Sequence, residues 1–375
     1  MIPQTVKLSD VCEIVMGQAP SGDSYNDEAT GLPLIAGAGD FKNGIIKVGK
    51  YTTEPTKISN ANDIVMSIRA SIGDKVWVDA GFCLGRGVAA IRASNKIDKN
   101  YLWHALTHVE PTLISRGRGA TFLQVNKDDI KDLEIPLPPL AEQQRIAGLL
   151  DTADHIIKQR ELAIAKLDQL AQSVFVAMFS NIEHITTLSQ VAELKRGPFG
   201  GALKKEIFVK HGPMVYEQRN AIYDDCKNGK YFITEEKFNE MKDFSVIDND
   251  LIVSCSGTLG KVAKIDKESP RGIINQALLR VRPKKNISSS FLKSAIESVS
   301  VQRNLAISSH GSGLQNFPPM AVVKAVPIPL PSFELQMKFE SIKEEILKKK
   351  IDLINSKNNL ENLLKSLQHQ SFAVN

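Results

Sequence analysis

The chain has 375 residues, a length typical of two or three domains. Its formal net charge of +5 is mildly basic, which is compatible with a polyanionic partner but does not require one. The four Cys form no C-x-x-C pair and no Cys/His ligand spacing, which argues against a structural metal and for a reduced intracellular protein. No basic segment followed by an apolar one opens the chain, and no stretch of about 18 uncharged apolar residues occurs, so we expect a soluble cytoplasmic protein.

Residues 1–134 are predicted to form a compact α+β domain of short strands and Gly-rich turns. A helix is expected at 101–109, ahead of a polar loop at 115–121. The expected strands are 32–36, 45–48, 63–68, 75–78 and 88–91.

A long helix is predicted within residues 135–180, entered through an extended I-P-L-P lead. Pro lacks a backbone donor and pushes its predecessor out of the α region, yet it fits the first turn of a helix. Apolar residues then recur at alternating steps of three and four, a heptad seam that predicts a coiled coil and that only Arg160 interrupts. The seam consists of Ile146, Leu149, Ala153, Ile156, Arg160, Ala163, Leu167, Leu170, Val174 and Ala177.

The pattern of the first domain returns after this helix. The segment L-S-x-V-x-E at 8–13 recurs at 188–193, and N-D-I-V-M-S at 62–67 recurs as N-D-L-I-V-S at 249–254. The Gly and strand skeletons agree, whereas the loops differ in length and in nearly every polar side chain. We therefore predict an internal duplication in which a scaffold is kept and its binding surfaces vary.

The lead and the helix also recur, 193 residues further along the chain (328 − 135). The second seam is weaker, with polar residues at three positions, and it contains Phe339, Ile342, Ile346, Lys349, Leu353, Ser356, Leu360, Leu363, Leu367 and Gln370. The pairs that are identical in this register are Ile135/Ile328, Pro136/Pro329, Leu137/Leu330, Pro138/Pro331, Gln143/Gln336, Leu167/Leu360, Leu170/Leu363, Ser173/Ser366 and Phe179/Phe372.

These repeats predict an α+β fold class with two duplicated globular domains joined by two long antiparallel coiled-coil helices. The second helix must return along the first for both seams to be covered. The predicted order is a first domain at 1–134, a central helix at 135–180, a second domain at 181–326 and a C-terminal helix at 327–375. Two core helices of ordinary domains are the alternative interpretation.

No motif of an enzyme is recognisable in the chain. The segment N-F-P-P-M at 316–320 differs in order from the N/D-P-P-aromatic loop of adenine methyltransferases. The segment G-T-L-G-K-V at 257–262 has two residues between its glycines where a P-loop has four. The seven His are scattered without a nucleophile-and-base arrangement. We therefore expect no catalytic residue, bound cofactor or metal.

The remaining function is binding, and the polar turns carry side chains that can contact a nucleic acid. Lys, Arg, Ser and Thr contact phosphates, while Arg pairs with guanine and Asn or Gln with adenine. The run Gln218-Arg219-Asn220 is the best cluster for reading bases, and a turn cap or a solvated loop residue is the alternative for each candidate. The candidates in the first domain are Arg69, Ser71, Arg86, Arg116, Arg118, Thr121 and Gln124, and those in the second are Gln218, Arg219, Asn220, Ser256, Thr258, Lys261, Asn275, Gln276, Ser312, Gln315 and Asn316.

The lead I-P-L-P-P-L-A-E-Q-Q-R-I with its helix, the run N-D-L-I-V-S-C-S-G-T-L-G-K-V at 249–262 and the doubled layout resemble the specificity (S) subunit of type I restriction-modification systems. The resemblance covers essentially the whole chain. It implies two target recognition domains, each reading one half of a bipartite DNA sequence, held apart by the helices. The first domain has A-S-I-G at 70–73 where the second has S-G-T-L-G at 256–260.

The same resemblance implies partners. Two methyltransferase subunits are expected on the helices and domains, with the restriction/motor (R) subunits outside them. S-adenosylmethionine, ATP and Mg are expected on those subunits and not on this chain. Apolar residues beside the first seam exceed what one helix covers, and we expect methyltransferase subunits to bury Leu150, Ile157, Ile164, Phe175 and Met178. The alternative function is a coiled-coil scaffold whose globular halves bind protein or carbohydrate.

Overall fold

The computed structural model describes residues 4–42, 44–307 and 317–372. It divides into two compact units, which we call unit 1 (Met1–Glu161 with Asn355–Asn375) and unit 2 (Leu162–Ile354). Each unit contains one globular domain and a part of each long helix.

The elements that begin in unit 1 comprise twelve strands and four helices among the described residues. They are β1 (Gln4–Lys7), α1 (Leu8–Val11), β2 (Cys12–Met16), β3 (Tyr25–Asn26), β4 (Leu32–Ile35), β5 (Phe41–Lys42), β6 (Ile45–Ile46), β7 (Tyr51–Thr52), β8 (Ile64–Ser67), β9 (Lys75–Trp77), β10 (Cys83–Leu84), β11 (Val88–Ala93), α2 (Lys99–Ser115), α3 (Lys127–Lys131), β12 (Glu134–Leu137) and α4 (Leu140–Phe179).

The remaining elements lie in unit 2, apart from the end of the last helix, which returns to unit 1. They are β13 (Ile185–Thr187), α5 (Leu188–Val191), β14 (Ala192–Arg196), β15 (Val209–Tyr216), α6 (Gln218–Ile222), β16 (Tyr231–Phe232), α7 (Glu235–Glu240), β17 (Leu251–Ser254), β18 (Val262–Lys264), β19 (Gly272–Ile274), β20 (Leu278–Pro283), α8 (Ser289–Glu297), α9 (Val299–Ile307), α10 (Met320–Ala325), β21 (Pro327–Pro329) and α11 (Phe333–Phe372).

The two globular domains have the same central sheet, which confirms the predicted duplication. Its strand order is β2-β11-β8-β9 in unit 1 and β14-β20-β17-β18 in unit 2, antiparallel throughout. A second sheet covers each, with order β10-β4-β7-β3 in unit 1 and β16-β15-β19 in unit 2. The I-P-L-P leads form strands, because β12 pairs with β1 and β21 pairs with β13.

The repeated Asn-Asp motif has a structural role in both domains. Asn62 and Asn249 both have φ 70°, a left-handed conformation that Asn tolerates, and each turns the chain into a central strand. The following Asp63 is 1% exposed and is paired with Arg92 at 2.9 Å. Asp250 is likewise buried and paired with an Arg of β20. The motif therefore recurs because it anchors the sheet.

The predicted elements of the first domain are largely confirmed. The predicted strands are present, each within two residues of its predicted ends. The helix is longer than the predicted 101–109, because Asp98 caps its N-terminus by accepting from Asn100 N and Tyr101 N, and because it continues through Pro111 to Ser115.

The two long helices, α4 and α11, pack antiparallel in each unit. In unit 2 the Phe175 and Phe339 rings are 5.6 Å apart, and Lys350 pairs with Asp168 at 2.6 Å. In unit 1, Lys357 pairs with Glu161 at 2.9 Å. Residue numbers rise along α4 while those of their α11 partners fall, so the predicted antiparallel arrangement is confirmed.

The predicted seam of α4 is wrong at three positions. Leu149 and Leu170 are 47% and 46% exposed and Ala177 is exposed, whereas Leu150 is 1% exposed. Two neighbouring faces of α4 carry apolar residues. A heptad seam that begins at Ile146 can therefore continue at Leu149 or at Leu150, and the sequence fits both choices equally well. The same one-residue shift occurs on α11, where the predicted Lys349, Leu363 and Gln370 are exposed and the half-buried residues are Lys350, Leu364 and Ser371.

Length and composition alone make α4 a candidate for a membrane-spanning helix, the one such helix in the described ranges. Its seam packs on α11, however, and the Glu161 and Asp168 carboxylates form ion pairs beside it. Ionised side chains at these positions are costly in hydrocarbon. We therefore interpret α4 as a coiled-coil helix.

Candidate nucleic-acid interface

Three turns of unit 1 meet at one end of its central sheet. They are the turn 68–74 after β8, the turn 85–87 between β10 and β11, and the segment 116–126 between α2 and α3. Ile68 N donates to Gly87 O at 2.9 Å, and Ala70 N donates to Leu123 O at 2.9 Å. These backbone bonds join the three turns into one surface.

The side chains of this surface suit contact with a nucleic acid. Arg69, Ser71, Arg86, Thr121 and Gln124 are exposed, and Arg69 forms a β-bridge with Gln124. Arg and Gln are the side chains that pair with purine edges in the major groove. The structure therefore brings five of the seven candidates of the first domain together on one exposed surface.

The other two candidates of the first domain are engaged within the fold. Arg116 donates to the backbone of Asp129 at 2.7 Å, and Arg118 forms a two-pronged pair with the Asp129 carboxylate at 2.9 and 3.0 Å. Burial by itself raises the pKa of Asp129, but the amide of Asn126 and the guanidinium of Arg118 outweigh it and hold that pKa below its usual value. Arg116 and Arg118 therefore shape the third turn.

Unit 2 builds a matching surface. The turn 255–261 after β17 is joined to the turn between β19 and β20 by Cys255 N donating to Ala277 O at 2.8 Å. The Ser254 hydroxyl donates to Thr258 O at 2.6 Å and accepts from Lys261 N at 3.0 Å, which closes the turn 255–261. The bond from Cys255 N to Ala277 O is the counterpart of the Ile68–Gly87 bond of unit 1.

The glycine that follows the first strand of each central sheet allows these turns to approach it. Gly17 N donates to Val88 O and Gly197 N donates to Leu278 O, both at 2.9 Å. A Cβ at Gly17 would overlap the carbonyl oxygen of Gly85, and one at Gly197 would overlap a backbone carbonyl of the matching turn. Only Gly therefore fits there.

Exposed polar side chains also line the surface of unit 2. Gln218 is half-buried, and a Cβ built on Gly257 would lie 3.3 Å from its amide nitrogen, so α6 lies against the turn 255–261. The exposed candidates are Arg219, Ser256, Thr258, Lys261 and Gln276.

The prediction that Asn220 reads bases is wrong. Its side chain is 1% exposed; its Oδ1 accepts from Glu217 N at 2.8 Å, and its Nδ2 donates to Asp225 O and Asn228 O at 2.7 and 2.9 Å. Consecutive side chains on a helix point about 100° apart, so three neighbours on α6 cannot share one surface. Asn275 is similarly used as a turn cap, since its Oδ1 accepts from Ala277 N at 3.0 Å.

Two exposed aromatic residues beside this surface were not among the candidates predicted from the sequence. Tyr223, at the end of α6, is 77% exposed, and Phe199, two residues after Gly197, is 82% exposed. An aromatic residue in a sequence is more often part of a core, and only its position next to the polar run 218–220 could have pointed to Tyr223. The candidates Ser312, Gln315 and Asn316 lie outside the described residues.

The residues predicted to contact methyltransferase subunits lie mainly on the packed side of α4. Leu150 is 1% exposed in the core of unit 1, and Phe175 is 8% exposed in the core of unit 2. Ile157, Ile164 and Met178 are half-buried. The premise that Leu150 and Phe175 need a partner for their burial is therefore wrong, because the chain itself covers them.

Possible metal ligands and the cysteine thiols complete the description of the polar groups. No group of three or more His, Cys, Asp and Glu there is placed to hold a metal ion. All four Cys are buried free thiols, and burial raises the pKa of the Cys12, Cys226 and Cys255 thiols to about 12. A thiol with such a pKa is unreactive at neutral pH.

The chain resembles known proteins in sequence. Residues 3–166 and 183–362 match the family model described as type I restriction modification DNA specificity domain. A protein of Methanocaldococcus jannaschii, provisionally named the MjaX specificity subunit of a type I restriction enzyme, is 37% identical over 147 residues. The match covers 39% of this chain and 35% of that protein, so this chain spans about a third of the relative's length.

Solved structures share the fold. The type I restriction-modification system S subunit from M. genitalium has a TM-score of 0.58 at 17% sequence identity and covers 100% of both chains. A chain from a study of complex assembly and conformational transition in the type I R-M system has a TM-score of 0.68 at 16% identity, covering 99% of this chain and 98% of that one. Since the family model matches both globular domains, the chain belongs to the type I restriction modification DNA specificity domain family and carries that domain twice.

Proposed function

We propose that this chain is the non-catalytic DNA sequence-specificity subunit of a type I restriction-modification complex, in which each globular domain reads one half of a bipartite target. The observation that carries the proposal is the surface built twice on one scaffold with different side chains. Arg69, Arg86 and Gln124 are exposed in unit 1, where unit 2 exposes Arg219 and Gln276. One scaffold with two sets of base-pairing side chains suits two different half-sites.

Each surface is expected to contact both the phosphates and the base edges of double-stranded DNA. Backbone amides and hydroxyls of the turns, such as Ser71 and Thr258, suit phosphates and would orient the domain on the duplex. Arg and Gln side chains suit base edges and would carry the specificity. We assign the reading domains to 1–134 and 181–326 and the spacers to the segments 135–180 and 327–375, which contain α4 and α11.

The chemistry of the complex is assigned to other chains. We propose two methyltransferase subunits and, in the full assembly, restriction/motor (R) subunits, with S-adenosylmethionine, ATP and Mg bound by these partner subunits. The complex would act in the cytoplasm, where the DNA is. Exposed apolar side chains on the outer face of α4 support a helix that is covered by another chain; they are Leu149, Leu162, Leu170 and Val176.

The direct test is co-expression with a methyltransferase subunit followed by mapping of methylated adenines. A bipartite motif with an unread gap is the expected result. Methylation without sequence preference, or at a single continuous motif, would contradict the proposal.

The isolated chain is expected to self-associate. Leu162 is 57% exposed and Val176 is 59% exposed on α4, and apolar surface of this kind is normally covered in a stable protein. Sedimentation velocity of the chain alone should show oligomers, and co-expression with the methyltransferase subunit should remove them. Replacing Leu162 and Val176 by Lys is expected to give a monomer, and a monodisperse monomer of the unmodified chain would contradict the prediction.

Replacing Gln218 and Arg219 by Ala is expected to degrade recognition of one half-site only. Each lost two-pronged contact to a base is worth about 1–3 kcal/mol, a loss of roughly fivefold to 150-fold in discrimination. Methylation mapping of the variant complex is the measurement, and Arg69→Ala is the matched change in the other domain, expected to affect the opposite half-site. Equal loss of specificity at both halves would show that the domains do not divide the target.

A further inference from the structure

One glutamine is buried at the start of each long helix. Gln143 on α4 and Gln336 on α11 are both 1% exposed, and they are 193 positions apart (336 − 143), the offset of the internal repeat. A buried amide must have its hydrogen bonds satisfied, so its partners reveal what it holds together.

In unit 1 the amide of Gln143 joins three segments. Its Oε1 accepts from Asp98 N at 2.8 Å, and its Nε2 donates to Pro138 O at 2.8 Å and to Lys96 O at 3.3 Å. Asp98 is the N-cap of α2, and Pro138 belongs to the lead into α4. One side chain therefore connects the start of α4 with its lead and with the globular domain.

In unit 2 the corresponding glutamine makes the same connection between helix, lead and domain, which we call the joint, with different neighbours. The Oε1 of Gln336 accepts from Ser288 N at 2.9 Å, and its Nε2 donates to Pro331 O at 3.1 Å. Ser288 is the N-cap of α8 and accepts from Phe291 N at 3.2 Å. Because the cap is Asp in one unit and Ser in the other, the glutamine recognises the backbone of the cap and not its side chain.

A further contact along each helix adds to the attachment. In unit 1, His104 of α2 and Asp151 of α4 are joined at 2.8 Å. In unit 2, Lys343 of α11 donates to the hydroxyl of Ser294 of α8 at 2.7 Å. Two separated points of attachment define a direction, so each domain is held at one angle to its own helix.

We infer that Gln143 and Gln336 are positioning residues that fix the direction in which each long helix leaves its domain and thereby limit the spacer lengths that the protein accepts in DNA. The inference rests on the proposed function. A domain of roughly 135 residues has a radius of gyration of about 14 Å. A swing of about 14° at the joint, over a lever arm of that length, therefore moves the centre of the domain by about 3.4 Å, the rise of one base pair.

The chemistry of the joint requires an amide. Glutamine supplies an acceptor for the cap N–H and donors for the lead carbonyl, whereas Glu lacks the donors and Leu lacks both. Gln143→Leu and Gln336→Leu are therefore expected to loosen the joint in one unit each. Gln143→Glu keeps the length and the acceptor, and we expect it to have an intermediate effect.

The experiment uses the complex with its methyltransferase subunits and three DNA duplexes. All carry both half-sites of the wild-type motif, with the native spacer, one base pair less or one base pair more. Each Leu variant is expected to reduce the preference for the native spacer by about twofold to tenfold per lost hydrogen bond, with the half-site bases unchanged. The readout is the methylation rate on each duplex.

Ser59→Ala is the matched control for a general loss of stability. The buried Ser59 hydroxyl accepts from Phe82 N at 2.9 Å and donates to Ala80 O at 3.2 Å, inside the globular domain. This variant is expected to lower the melting temperature and to keep the spacer preference. A Gln143→Leu complex that loses activity equally on all three duplexes, as a merely destabilised protein does, would overturn the inference.

The outcomes separate the two proposals. If the wild-type complex methylates no bipartite motif, the proposed function fails and the inference falls with it. If the wild type has a sharp spacer preference and every folded Gln variant, including Gln143→Glu, retains it, only the inference about the joint fails.

Discussion

Inserting four residues into both long helices at paired positions is expected to lengthen the unread spacer of the DNA target by one or two base pairs and to leave both half-sites unchanged. Each helix has 40 residues and spans about 60 Å at roughly 1.5 Å per residue. Four more residues add about 6 Å, nearly two base pairs at about 3.4 Å each. Methylation mapping of the variant complex measures the spacer directly.

The ion pairs between the helices show where the insertions belong. Glu161 pairs with Lys357 and Asp168 with Lys350, so the insertion falls between 161 and 168 in α4 and between 350 and 357 in α11. An insertion in α4 alone shifts one seam against the other, and we expect it to impair assembly. An unchanged spacer in the double variant, or altered half-site bases, would show that the helices do not set the distance.

Replacing Asp250 by Ala is expected to lower the free energy of unfolding by about 2–4 kcal/mol. Its carboxylate is fully buried; it accepts from Arg282 at 2.7 and 2.8 Å and from Ile247 N at 2.9 Å. Breaking a buried ion pair costs about 3–5 kcal/mol, and the partial exposure of Arg282 reduces that value. Urea unfolding of the full chain, monitored by circular dichroism, measures the change.

Asp248→Ala is the control for this prediction. Asp248 is exposed two residues earlier and contacts only the side chain of Asn249 in the described structure, so its removal is expected to change the free energy of unfolding by less than about 0.5 kcal/mol. Asp63→Ala is expected to act in the first domain as Asp250→Ala does in the second. Equal effects of Asp248→Ala and Asp250→Ala would contradict an anchoring role for the repeated motif.

Features that repeat along the chain could be predicted from the sequence. The offset of 193 residues between two leads and two seams predicted the duplication, and the matching sheets of the two units confirm it. Apolar periodicity predicted two long helices, which the structure places at Leu140–Phe179 and Phe333–Phe372. Such features depend on the local order of residue types, and they can be read without knowing any distant contact.

The role of a polar side chain could not be predicted where the side chain suits two different partners. Arg118 suits a phosphate as well as it suits a carboxylate, and the fold supplies the carboxylate of Asp129. Asn220 suits adenine, but α6 turns it inward to three backbone groups. The choice was made by residues that the fold brings close, and their identity is not visible from the type of one side chain.

The sequence by itself determined the α+β class, the two domains and the two helices, because each follows from a repeated local pattern of apolar residues, Pro and Gly; the family followed from the resemblance of the I-P-L-P lead and the 249–262 run to type I specificity subunits. Only the tertiary structure decided which face of α4 is buried, since its two apolar stripes differ by a single residue in their starting point and burial depends on where α11 lies. Only the tertiary structure likewise showed that Gln143 meets the cap of α2, 45 residues away, because a buried amide takes its partners from packing and not from neighbours in the chain.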